Sequence, residues 1–267
     1  MKKAIMLLVS SLLMWAGYVQ TSYAQTETVS VQVGTGDFRM NMPFHFGWRH
    51  SMQQTLYFPH ELLTNGGEIT GLVYDLRLQH LAANSSPTQN IRIWIGETTV
   101  ENLSSGWVDP TTLTLVFDGQ IELPVPASAE IGQKYLIQID FDTPFEYQGG
   151  TLVVYSFKHM AATGGVAPGN GIEFFGTQLL NSNRSRTHQV NGTVVPNPMS
   201  PPAGTLVASN VPNTRFLFNM AGLGSVSGVV SGSEGALGNV RVEVVGTSIA
   251  ATTDSEGQYR LFLTPGD

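Results

Sequence analysis

Between Ile69 and His80 apolar and polar side chains alternate, with Leu72, Tyr74, Leu76 and Leu78 on one side and Asp75, Arg77 and Gln79 on the other. A period of two predicts a half-buried β-strand. The same alternation sets Ile91, Ile93 and Ile95 against Arg92 and Trp94, and Leu113, Leu115 and Phe117 against Thr112 and Thr114. It also sets Tyr135, Ile137, Ile139 and Phe141 against Gln138 and Asp140. The run 151–157 is almost continuous in β-formers, which predicts a more central strand. Turn-forming clusters separate these runs, among them Asn65-Gly66-Gly67, Asp109-Pro110, Asp118-Gly119 and residues 167–171.

Two stretches break the rhythm. Residues 181–209 are rich in Asn, Ser and Pro, and four prolines (Pro196, Pro198, Pro201, Pro202) predict a long loop, because proline cannot donate to a β-ladder. Alternation then returns, with Phe216, Phe218 and Met220 opposite Arg215, Leu217 and Asn219, as expected for a strand that closes the first domain. After the linker expected at 222–225, short strands are predicted at 226–231, 239–245, 248–253 and 258–263. Asp254 and Gly257 shape the turn before the last of them. The expectation is an all-β protein: a β-sandwich or jelly-roll-like domain over 25–221, then a partial β-sandwich over 226–267.

Composition supports a packed protein without staples. There is no cysteine, 42% of residues are hydrophobic, and there are 29 glycines and 14 prolines. Stability therefore has to come from core burial. Lys2 and Lys3, a short apolar run and Ser22-Tyr23-Ala24 together read as a secretory signal peptide spanning 1–24, cut after Ala24. No later run is apolar and long enough to be expected to span a membrane as a helix. Loss of the two lysines takes the formal charge from −7 to −9. An acidic chain with 13 Lys and Arg is a poor partner for nucleic acid or anionic lipid.

Residues 227–230, Leu237-Gly238-Asn239-Val240-Arg241-Val242 and Thr253-Asp254-Ser255-Glu256-Gly257-Gln258-Tyr259 resemble the carboxypeptidase regulatory-like domain. The resemblance implies a transthyretin-like accessory fold that is not catalytic, with Asp254 and Gly257 in a hairpin and Tyr259 packed back on the sheet. The family's later strands are missing, so the domain is expected to be truncated at the C-terminus. The first part is similar to a β-sandwich module of secreted multi-domain proteins of the Bacteroidetes. That resemblance is carried by Pro43-Phe44, residues 51–57, 67–72 and 91–98, Phe117-Asp118-Gly119 and residues 144–149. It implies a Gram-negative cell-surface or secreted location and type IX secretion, with adhesin-like or peptidase domains as neighbours.

Candidate chemistry is sparse. Gly224-Ser225-Val226-Ser227-Gly228 has the outline of a nucleophile elbow, but valine stands at the nucleophile's place. Trp48, Trp94 and Trp107 are candidates for stacking on sugar faces, with packing as the competing role. Asp109, Asp140 and Asp142 are candidates for calcium, which takes loop carboxylates and carbonyls. No catalytic residue and no other cofactor is expected. The expected function is a non-catalytic binding or structural module that contacts protein or glycan. The alternative is the accessory N-terminal region of a secreted enzyme, most simply a peptidase, whose catalytic domain lies beyond Asp267.

Overall fold

The structure is a computed structural model. It describes residues 28–62, 66–78, 88–122, 131–160, 172–203, 206–220, 224–233, 235–238, 240–245, 250–253 and 256–263. The expected signal peptide, Asp254 and the 167–171 turn lie outside these residues.

The chain is all-β, as its alternation predicts. In order, the first elements are β1 (Thr28–Val33), β2 (Phe38–Met40), β3 (His50–Tyr57), the short α1 (Pro59–Leu62), β4 (Gly67–Leu78) and β5 (Thr88–Thr98). A 3₁₀ turn, Pro110–Thr112, precedes β6 (Thr114–Glu122), β7 (Lys134–Tyr147), β8 (Thr151–His159) and β9 (Ile172–Gln178). Then come β10 (Ser185–Val190), β11 (Leu206–Ala208), β12 (Asn210–Pro212) and β13 (Thr214–Asn219). One antiparallel sheet has the order β1-β13-β4-β9-β12, with β7 also on β4 and β2 also on β9. The other has the order β11-β10-β3-β8-β5-β6.

The two sheets form a β-sandwich around one apolar core. Leu72, Tyr74, Ile137, Ile139, Phe174, Phe216 and Phe218 come from the first sheet, and Tyr57, Ile91, Ile93, Ile95, Leu152 and Val154 from the second. Among them Leu72, Tyr74, Ile137, Ile139, Ile91, Ile93, Ile95, Phe216 and Phe218 are positions on the uniformly apolar faces that the period of two picks out. The 151–157 run is the middle of β8, buried between β3 and β5.

Three expectations change. The 69–78 strand is buried on both faces, because Asp75 sits in an ion-pair hub with Lys134 at 2.7 Å and Arg215 at 3.3 Å. The alternation of Leu113, Leu115 and Phe117 is interrupted by a register shift opposite Ile93 and Trp94, so Val116 is buried and Leu115 is 41% exposed. The 181–209 segment is not one loop: β10 pairs with β3 along its length, β11 pairs with β10, and the longest described stretch without strand is 191–203.

The C-terminal part forms two-stranded sheets. Here β14 (Gly224–Val229) pairs with β19 (Gln258–Leu263), β15 (Ser231–Gly232) with β16 (Gly235–Ala236), and β17 (Arg241–Glu243) with β18 (Ala250–Thr252). The first strand thus begins inside the expected linker. Phe262 joins the sandwich core. Tyr259 lies over Gly228, its cross-strand partner, where an added Cβ would come within 2.9 Å of the ring. Gly257 has φ +73°, and a Cβ there would fall 2.4 Å from the Val230 carbonyl oxygen. Gly257→Ala is therefore expected to cost about 1–3 kcal/mol from left-handed strain and the clash. Faster amide hydrogen exchange in β14 and β19 is the check; unchanged protection would refute it.

Candidate functional site

The second sheet buries its outer face as well as its inner one. Met52, Leu56, Trp94, Leu103, Leu113, Val153, Tyr155 and Phe157 form a second cluster there, with Trp107, Val108 and Met199 packed against it. The cover comes from the segment that follows β5 and from the proline-rich segment 191–203. Both segments are tied to the sheet by side chains whose apolar bodies pack and whose polar tips reach backbone. Tyr155 stacks on Trp94 with ring centroids 5.3 Å apart and meets Trp107 at 5.9 Å. The Tyr155 hydroxyl donates to the Pro198 carbonyl at 2.9 Å, and Trp107 Nε1–H to the Pro202 carbonyl at 3.0 Å. Arg186 on β10 donates to the carbonyls of Leu103 (2.8 Å) and Ala203 (3.0 Å) and lies beside the Trp107 ring. Gln54 exchanges two 2.7 Å hydrogen bonds with the backbone of Val108.

Of the three candidate tryptophans, Trp94 and Trp107 are brought together, on Tyr155. Trp94 is 7% exposed, whereas Trp107 stays half-buried. Trp48 is half-buried in the loop before β3, edge-on to His45 at 5.8 Å.

Asp109 lies apart from Asp140 and Asp142, which share β7. Asp109 caps the 3₁₀ turn, accepting from Thr111 N (2.9 Å) and Thr111 Oγ1 (2.8 Å), and these bonds hold its carboxyl below the usual range. Asp142 accepts from the Asp118 backbone N–H at 3.0 Å and so ties β7 to β6. Asp140, on the same strand, accepts from Gln138 Nε2 at 2.7 Å. No group of three or more His, Asp or Glu residues able to hold a metal ion occurs among the described residues.

Sequence reasoning missed a basic group at one end of the second sheet. Lys158, on the inward face of β8, is 0% exposed and donates to the carbonyls of Trp48 and Arg49. Burial pulls its ammonium down to about 8. His45, half-buried with Lys158 nearby, is pulled down to about 4, chiefly by desolvation. His50 and His159 are lowered by the same cause, with Lys158 contributing to each. Lys158 reaches the Trp48 and Arg49 carbonyls across more than 100 residues of chain, and no local motif announces that meeting.

No known family model matches the chain, and no curated protein matches it.

Proposed function

We propose that this chain is a non-catalytic binding or structural module of a secreted or cell-surface protein, which contacts protein or glycan partners. The observation that carries the reading is the use made of its acidic groups. Asp75 is held between Lys134 and Arg215, Glu61 on Arg184, and Glu173 on Arg39. Glu97 accepts from the backbone N–H groups of Gln148 and Gly150. Carboxylates spent in this way fix strands and turns instead of facing a substrate as a matched acid and base.

The contact surface in this reading is the rim around Trp107, the half-buried end of the aromatic layer, with Arg186 beside it. Export is supported by the leader-like residues 1–24. The multi-domain surface setting and the regulatory-like C-terminal domain rest on the resemblances carried by the motifs quoted above.

The test presents the immobilised chain with a panel of surface polysaccharides and proteins, and assays the same panel for hydrolysis. Saturable binding that weakens at least several-fold in Trp107→Ala is expected, without chemical change in the ligand. Absence of all binding would leave only a spacing role. Turnover of any glycan or peptide in proportion to added chain would overturn the proposal.

A further inference from the structure

The inward face of β3 is polar where a sandwich ordinarily places apolar side chains. Tyr57 at the end of this strand belongs to the apolar core. Strand alternation then puts Thr55, Gln53 and Ser51 on the same face. Their cross-strand partners on β8 are Val154, Ser156 and Lys158, and on β10 they are Ser185, Thr187 and Gln189. Ser51, Gln53, Thr55, Ser156, Lys158 and Ser185 are all buried.

Most of this row is satisfied. Thr55 and Ser185 share a 3.2 Å hydrogen bond, and Ser185 also donates to the Asn210 carbonyl at 2.7 Å. Ser51 accepts from the His45 backbone at 2.9 Å, and Tyr74 reaches Ser156 from the opposite sheet. Gln53 is the exception. It is 1% exposed, and neither Nε2 nor Oε1 has a hydrogen-bond partner among the described residues. A buried primary amide with all its donors and acceptors unmatched is strongly penalised, so such groups in folded proteins are nearly always paired.

We propose that the inward face of β3 is an internal hydration site, in which ordered water bridges the Gln53 amide to the polar row formed with Ser156 and Thr187. Water suits the site because it donates and accepts at once, which both ends of an amide require, and because neighbouring hydroxyls offer it further partners. The bound water makes the β3–β8–β10 ladder a specified polar seam inside an otherwise apolar core.

The test uses the full chain, labelled with ¹⁵N. Rotating-frame Overhauser cross-peaks from water to the Gln53 side-chain amide protons are expected. Gln53→Met, similar in volume but unable to hold the water, is expected to lose the long-lived water signal and to melt several degrees lower. Absence of the cross-peaks in the unmodified chain overturns the proposal, whether or not the variant folds. A raised melting temperature for Gln53→Met also overturns it, because removing a truly unmatched amide relieves a penalty whereas removing a bridged one does not.

Discussion

Replacing Arg184 with alanine is expected to lower the unfolding free energy by about 3–5 kcal/mol, the range found when one partner of a buried, hydrogen-bonded charge pair is deleted. The guanidinium is 3% exposed. Its Nη1 and Nη2 form a fork on the two oxygens of Glu61 at 2.7 and 2.6 Å, and its Nε donates to the Leu56 carbonyl at 3.0 Å. Its flat face lies 4.4 Å from the centre of the Phe58 ring. Glu61 in turn accepts from the Phe58 backbone N–H at 2.8 Å, which closes the first turn of α1 behind Pro59. One side chain thus locks the end of β3, the helical turn and the entry to β10. Lysine cannot reproduce the planar fork, so Arg184→Lys is expected to recover only a small part of the loss. Glu61→Ala should recover part of it in the double variant, since no half-buried carboxylate is then left without its partner. Urea midpoints for the four chains give the cycle. A loss under about 1 kcal/mol in Arg184→Ala would show that the pair is solvated and exposed.

Arg184 also marks where the sequence stops being legible. Ile91, Ile93, Ile95, Phe216 and Phe218 were predictable as inward because one face of each strand is uniformly apolar, and that face is what the core takes. Strand β10 reads Ser-Arg-Thr-His-Gln-Val, with no such face. It is a strand because β3 and β11 offer it ladders on both sides, and because its inward hydroxyls and outward arginine find carbonyls belonging to distant segments. Tertiary pairing here outweighs local pattern. Trp94 was legible as pointing away from the isoleucines; its cover of Tyr155, Trp107 and two long loops was not, because those contacts span many residues of chain. The register shift at Val116 was hidden for another reason. A bulge adds one residue to one strand, and a strict period of two then misassigns every position beyond it.

Between pH 6.5 and 4 the stability of the protein is expected to fall, and the histidine group at the Lys158 end of the sandwich sets the sign. His45 titrates at about 4 in the folded chain, below its ordinary 6.5, because burial and the Lys158 ammonium both disfavour the imidazolium. His50, His159 and His188 are lowered in the same direction. Over this window the unfolded chain binds more protons than the folded one, so unfolding gains as acid is added. The groups facing His45 and its neighbours are Lys158, Arg49, Arg92 and Asp118, of which only Asp118 opposes the trend. For a half-buried ring, after allowance for solvent screening, His45 alone contributes about 2 kcal/mol. Lys158 supplies a second rise at the basic end. Its folded pKa of about 8 lies below the ordinary 10.5, so stability increases from pH 8 towards 10.5 as the unfolded chain gives up its extra proton. Urea unfolding at steps from pH 4 to 10.5 measures both limbs. His45→Gln is expected to flatten the acidic limb and leave the basic one, while Lys158→Met is expected to remove the basic limb and soften the acidic one through loss of the neighbouring charge. A stability that stays level from pH 7 to 4.5 would mean that the imidazole of His45 is free to take up a proton in the folded state, and that the loop around Trp48 is not sealed by Lys158.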